Sequence, residues 1–335
     1  MSEAYLGTLQ RVDPLYDYLA RDVMPRVDME VKDPVFHVCR IAASNMVYKY
    51  REERSNLSVI GKFYRSQEPY KARRLISEFD NLRKARALGL ATLPNYIVKP
   101  LGQEKSMGLG LLEEYVPGKD LDHYIRKAVY DGRHGRLKER LGDLAGFLAM
   151  MHKKAGLGKG LDLKPSGEYF EKVLNTLRKK RLLDDDGVKH FRRLKERWCG
   201  RDFMHQDQAV VIHGDATPTN FIFPEEKGIV AIDLERMKPG DRVYDVGMVC
   251  GELKHAFMWR MGDRFASEPH ISHFLKEYSR HYGDDRFYWS VVRRNPFYMA
   301  VTELRIARNS WLDREHRMRL IREAERCLTW GLDLK

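Results

Sequence analysis

Hydrophobic positions along the chain change their period several times, and each change marks an element. Leu9, Val12, Leu15, Tyr16, Leu19 and Val23 recur at helical spacing before Pro25, so residues 1–34 are expected to form a helical extension ending in a turn. From Val35 the pattern shortens to VFHVCRI, MVYKY and SVIGKFY, separated by AASN and REERSN, which predicts an antiparallel meander. A helix over Tyr70 to Leu88, with Leu75, Phe79, Leu82 and Leu88 on its apolar side, precedes a second hairpin that runs into LLEEY. Val116-Pro117-Gly118 then breaks the pattern, and Asp120 is placed to cap a helix that starts at Leu121. Beyond this break the three-and-four spacing dominates. Leu141, Leu144, Ala145, Leu148, Met151 and His152 predict a buried helix, and two charged helices flank DDDG. Two β-branched runs, AVVI and IVAID, interrupt the helices before four more helical stretches close the chain. The expectation is an α+β protein of two lobes: a small β-rich N-lobe over 35–117 and a larger, mostly helical C-lobe over 118–335.

Composition changes this picture little. Hydrophobic residues at 43% and charged residues at 32% describe an ordinary globular chain. The net charge of +12 could draw nucleic acid or an anionic surface, but the basic residues are interspersed with acidic ones, which points to a solvated basic surface. Cys39, Cys199, Cys250 and Cys327 are far apart and form no C-x-x-C pair, so a reducing cytoplasm fits and neither a zinc ribbon nor a redox motif is indicated. Charges run through the first residues without an apolar core segment, and no run is long enough to span a membrane.

The chemistry gathers in Val210 to Asp233, VVIHGDATPTNFIFPEEKGIVAID. Asp215 and Asn220 are five apart with Pro218 between them, and Asp233 closes the next apolar run, the spacing of a phosphoryl-transfer loop. Such a reaction needs a carboxylate where the substrate hydroxyl will sit, held by a rigid element, and the strand before Gly214 supplies the rigidity. The amide oxygen of Asn220 and the carboxylate of Asp233 are the oxygen donors that Mg²⁺ takes alongside phosphates. Upstream, Lys62 lies in an apolar strand and needs a partner if buried. Glu78, sixteen residues later on the helix, could supply it. On its own Lys62 reads equally as an outward lysine on a half-exposed strand. The AASN turn could be a flap over phosphates or a plain hairpin connection, and it lacks glycine. An adenine ring at the break after the second hairpin would use backbone groups near Glu114 and Val116. His152 reads as a packed or capping histidine, and aromatics such as Trp259, Tyr278, Trp289, Tyr298 and Trp311 read mostly as core.

The segment HGDATPTN followed by AIDLERMKPGDRVYDVG resembles the catalytic and metal-binding segments of the aminoglycoside phosphotransferase and choline kinase family, which has a protein-kinase-like fold. Ser44-Asn45-Met46-Val47-Tyr48 resembles its phosphate flap and LLEEYVPG its hinge. The resemblance covers roughly residues 35 to 310. It implies Asp215 as catalytic base or hydroxyl-orienting residue and Asn220 with Asp233 as magnesium ligands. Lys62 becomes the ATP phosphate contact with Glu78 as its ion-pair partner, Ser44 and Asn45 the flap, and Glu114 and Val116 the adenine contacts. His213 would brace the loop and Asp245 would anchor it, while Glu235 has no firm role. The implied activity is ATP- and Mg²⁺-dependent phosphorylation of a hydroxyl on a small molecule such as a sugar, amino alcohol or aminoglycoside. Two other readings stay open: an atypical protein kinase of the RIO type, and a nucleotide-binding scaffold on a degenerate kinase fold. The chain has no D-F-G and no A-P-E segment, and runs from Asp245 directly into helices, which favours a small-molecule pocket.

Overall fold

A computed structural model describes residues 3–27, 31–42, 46–65, 67–225 and 227–334. The flap residues Ser44 and Asn45 lie outside the described residues. The chain divides into two compact units, the first comprising 1–118 with 224–236 and the second 119–223 with 237–335.

Unit 1 is built on a six-stranded antiparallel sheet. Its strands are β1 (Glu3–Thr8), β2 (Phe36–Ile41), β3 (Met46–Glu52), β4 (Ser58–Phe63), β5 (Pro100–Glu104) and β6 (Leu109–Glu114), in the order β1-β2-β3-β4-β6-β5. Lys62 pairs with Val47 on one side and Leu111 on the other, and Ile60 pairs with Glu113. Because side chains alternate along a strand, Lys62 and Ile60 share one face while Val59, Gly61 and Phe63 share the opposite one. That opposite face is covered from an unexpected source. Residues 1–34 are not a single helical extension: β1 pairs with β2, and short helical turns follow over Pro14–Val27. Leu15, Tyr16, Leu19, Val23 and Met24 from these turns pack on Phe36, Tyr50, Val59 and Leu112. The apolar spacing finds the helical turns only in part: Leu15, Tyr16, Leu19 and Val23 lie in them and are buried, whereas Leu9 and Val12 precede them and Val12 is exposed; β1 is an edge strand whose Tyr5 and Leu6 are exposed, so no buried face marks it. The face bearing Lys62 meets α1 (Pro69–Ala87), whose Glu78 bonds Lys62. A short strand, Ile229–Ala231, runs parallel to Asn95–Ile97 and brings Asp233 into this unit.

Unit 2 is helical: α2 (Leu121–Asp131), α3 (His134–Lys154), α4 (Lys164–Lys179), α5 (Asp185–Cys199), α6 (Arg242–Met261), α7 (Glu268–Arg280), α8 (Asp285–Ala307) and α9 (Arg314–Asp333). Asp120 caps α2 by accepting the His123 N–H at 2.8 Å. Leu141, Leu144, Leu148 and Met151 of α3 are completely buried, as their spacing requires. A three-stranded sheet places β7 (Gln208–Ile212) between Gly156–Gly160 and Lys238–Gly240, which fixes the stem of the loop at Asp215. Helices α6 and α8 cross very closely. A Cβ on Gly247 would come within 2.4 Å of the Tyr298 Cβ, and one on Gly251 within 2.8 Å of Thr302. Only glycine permits this separation. Among the described residues no helix is long and apolar enough to cross a membrane.

Candidate active site

Asp215 sits on a backbone that is pinned at several points. Strand β7 ends at Ile212, and Gly214 takes φ +77°, a left-handed conformation that turns the chain without a side-chain clash. The buried Asp245 carboxylate, from the first turn of α6, accepts the N–H of His213 at 2.7 Å and of Gly214 at 2.9 Å. Its second neighbour is His152, whose Nε2 lies 3.1 Å away while Nδ1 meets the Tyr278 hydroxyl at 2.9 Å. Burial alone would raise the Asp245 pKa, but the His152 hydrogen bond, the charges of His152 and His213 and the Gly214 amide outweigh it and hold the carboxyl below its usual value. His152 is therefore a packed residue, completely buried, that supports the anchor. The Asp215 N–H donates to His213 Nδ1 at 3.3 Å, and Asn220 Nδ2 donates to the Asp215 carbonyl at 2.9 Å. Asp215 and Asn220 are thus brought together in one tight turn.

One partner of Asp215 was not foreseen from sequence. Arg305, on the last turns of α8, donates from Nη1 to Asp215 Oδ1 at 3.2 Å, and its Nη2 donates to Glu252 Oε1 of α6. Burial would lower the Arg305 pKa, but Glu252 and Asp215 more than compensate and raise it further. Glu252 is pushed above its usual range by burial, with Arg305 opposing the shift. The signal available in the sequence was a pair of charges, Glu303 and Arg305, inside the apolar helix MAVTELRIA, since buried charges demand partners. The partners of Arg305 are far away in sequence, and neither carboxyl oxygen of Glu303 has a hydrogen-bond partner. The α6 and α8 glycine crossing is what brings Arg305 within reach.

Unit 1 holds the second group of expected residues. Lys62 Nζ donates to Glu78 Oε1 at 2.7 Å and lies 3.2 Å from Glu113 Oε1, a third member that the sequence showed only as part of a polar strand end. All three are buried, and Oε2 of each glutamate has no hydrogen-bond partner. Burial would lower the Lys62 pKa, but Glu113, Glu78 and Asp233 hold the ammonium well above its usual value. Glu78 is pushed up to about 8, chiefly by burial, with Lys62 pulling the other way. Asp233 adopts φ +62°, a left-handed conformation that aspartate tolerates better than most residues but that stores strain. Asn81 Nδ2 donates to the neighbouring Leu234 carbonyl at 2.9 Å, and Glu235 accepts from Arg74 at 3.2 Å, so Glu235 is engaged as an ion-pair partner.

The Glu114 side chain accepts from Tyr96 and from the Lys99 N–H, which makes it a structural brace at the end of β6. The half-buried Val116 follows, past the end of that strand. Among the described residues no group of three or more His, Cys, Asp or Glu could hold a metal alone. Of the aromatics expected in the core, Tyr278 and Tyr298 are fully buried, while Trp259, Trp289 and Trp311 are 42%, 57% and 64% exposed.

A sequence profile of the phosphotransferase enzyme family matches residues 37–294. Comparison with curated protein sequences gives no match. Among solved structures, the chain resembles the ternary complex of streptomycin, ATP and APH(2")-IIa, with a TM-score of 0.56 at 13% identity over 95% of this chain and 97% of the other. It also resembles an ethanolamine kinase of Plasmodium vivax, with a TM-score of 0.53 at 15% identity over 88% and 81%. The choline kinase LicA of Streptococcus pneumoniae gives 0.52 at 16% over 84% and 89%. These likenesses establish the kinase-like fold.

Proposed function

Because this chain belongs to the phosphotransferase enzyme family, we propose that it transfers the terminal phosphoryl group of ATP to a hydroxyl of a small molecule. The observation that carries the reading is the Asp215 turn, in which a carboxylate is presented at the end of a strand and its backbone is held by Asp245 and Asn220. In the reaction the acceptor oxygen bonds to the γ-phosphorus, the bond from phosphorus to the ADP oxygen breaks, and the hydroxyl proton passes to the Asp215 carboxylate. Arg305 acts as a positioning residue that holds this carboxylate toward the acceptor. Lys62, oriented by Glu78 and Glu113, meets the nucleotide phosphates. Backbone groups at Glu114 and Val116 would receive the adenine, and Ser44 and Asn45 would belong to the flap. Asn220 and Asp233 would each give one oxygen to magnesium, which when bound neutralises charge on the phosphates. The two lobes of the sequence reading correspond in this proposal to a nucleotide-binding part and a substrate-binding part. The four free cysteines are in keeping with a cytoplasmic protein.

ADP release in the presence of Mg·ATP and a panel of alcohols tests the reading. Asp215→Ala is expected to lower phosphoryl transfer by about 100-fold or more, the usual worth of a positioned base, with nucleotide binding retained. Turnover at the wild-type rate would remove Asp215 from the reaction, and labelling of protein alone would favour the protein-kinase alternative.

A further inference from the structure

Resting on the phosphotransferase reading, we infer that the acceptor is an anionic alcohol, a hydroxyl compound carrying a carboxylate or phosphate, whose negative group is met by Arg308 and Tyr169, one helical turn from the Arg305 that holds Asp215.

The last turn of α8 presents Arg305 and Arg308 three residues apart, hence on one face of the helix. Arg305 reaches Asp215. Arg308 is half-buried, and its Nε donates to the Arg305 carbonyl at 3.1 Å. Its Nη2 reaches only the Tyr169 hydroxyl, at a long 3.5 Å. No described carboxylate forms an ion pair with it. Tyr169 packs edge-on against Tyr244, with centroids 6.4 Å apart. The ammonium of Lys238 lies 5.3 Å over the Tyr244 ring. Arg308, Tyr169 and Tyr244 thus form a connected group one helical turn from Arg305, the side chain that touches the Asp215 carboxylate.

A cationic acceptor would find its usual attractions already occupied. An ammonium is drawn to carboxylates and to the faces of indoles. Here Glu252 is taken by Arg305, and Asp122 is taken by Arg260 at 2.9 Å and Arg126 at 3.0 Å. One turn and more along α6 from Glu252, the Trp259 ring is stacked on His255, and the Arg260 guanidinium lies 5.4 Å from its centroid. A positive ligand would have to displace an arginine at each of these places. An anionic one displaces no arginine from a carboxylate and gives Arg308 a negative partner, which no described carboxylate supplies.

The test incubates the full-length protein with Mg·ATP and three acceptor panels, reading ADP release and identifying the phosphorylated product by ³¹P NMR. The first panel holds glycerate, gluconate, glucuronate, glycerol 3-phosphate and glucose 6-phosphate. The second holds choline, ethanolamine and kanamycin, and the third holds glycerol, ribose and glucose. Turnover confined to the first panel is the expected result, with its carboxylate and phosphate members showing which anion is preferred. For the responding acid, Arg308→Ala is expected to raise KM by about tenfold or more, as loss of a charge-assisted hydrogen bond should, while the KM for ATP stays put. Arg308→Lys, which keeps the charge, should recover part of that loss, and an unchanged melting curve guards against misfolding. Preference for amines or neutral sugars, an acid KM insensitive to Arg308→Ala, or an effect on ATP alone each overturns the inference. So does silence from all three panels if a non-hydrolysable Mg·ATP analogue still binds, an outcome that spares nucleotide use; absence of analogue binding would instead strike the phosphotransferase reading beneath it.

Discussion

Two buried clusters carry the same charge count, one cation between two carboxylates, and hold it differently. In unit 1 a lysine ammonium lies between Glu78 and Glu113; in unit 2 an arginine guanidinium lies between Asp215 and Glu252. The lysine is a compact point charge, so the second oxygen of each glutamate goes without a partner and burial drives the carboxyl pKa values upward. The guanidinium is a planar fork with separate N–H groups for its two acids, which fixes directions as well as charge. Burial raises a carboxyl in both clusters, Glu252 included, so what separates them is that the first is held by charge and the second by direction as well. This difference suits the proposed roles: a phosphate contact needs charge at a distance, whereas a reacting carboxylate needs one orientation.

Removing the lysine should do the most damage. Lys62→Met leaves two buried carboxylates facing each other and is expected to cost about 3–5 kcal/mol of stability, the usual penalty for orphaning a buried charge; urea unfolding measures it. If the loss were under 1 kcal/mol, the cluster would be better solvated than its burial implies. Arg305→Lys makes the matching change in unit 2, keeping the charge while losing the fork. A fall in kcat of about tenfold, or about 1.4 kcal/mol in the barrier, with little change in melting temperature would set geometry apart from charge. Equal damage to stability and rate would erase the contrast between the clusters.

The pH responses should have opposite signs. Glu78 has a folded pKa raised to about 8, so its contribution is complete below its unfolded value and is lost as pH rises through 8. In unit 2, burial lowers His255 to about 3, and the unfolded chain takes up a proton below about 6.5 that the folded one refuses. Stability of that unit should therefore fall by about 1 kcal/mol between pH 7.5 and 6. All five tryptophans lie in unit 2, so their fluorescence during urea unfolding reports this unit directly. A midpoint independent of pH over that interval would count against a neutral, buried His255.

What could be read in the sequence was whatever depends on neighbours close in the chain. The cap at Asp120, the buried face of α3 and the strand before Gly214 follow from local spacing, and the Lys62 to Glu78 contact follows from a strand and the helix directly after it. Contacts set by long-range packing were out of reach. Arg305 meets Asp215 across ninety positions, and α8 is buried on nearly all sides, so no apolar stripe marks which of its residues turn toward the loop. Strand β1 escaped because an exposed edge strand needs no apolar residues. Trp259 and Trp311 belong to a group of aromatics read mostly as core, yet they pack on each other, with ring centroids 5.6 Å apart, at the surface.

The glycine crossing of α6 and α8 also sets a mechanical tolerance. Thr302, which faces Gly251, precedes Arg305 by three residues, a distance of about 4.5 Å along the helix axis. With so short an arm, any widening of the crossing reaches the guanidinium almost undiminished. A contact of 3.2 Å has little slack, and about 0.5 Å more takes it past hydrogen-bonding range. The fit between Asp215 and the guanidinium that holds it is thus governed by the absence of two methyl groups on a neighbouring helix.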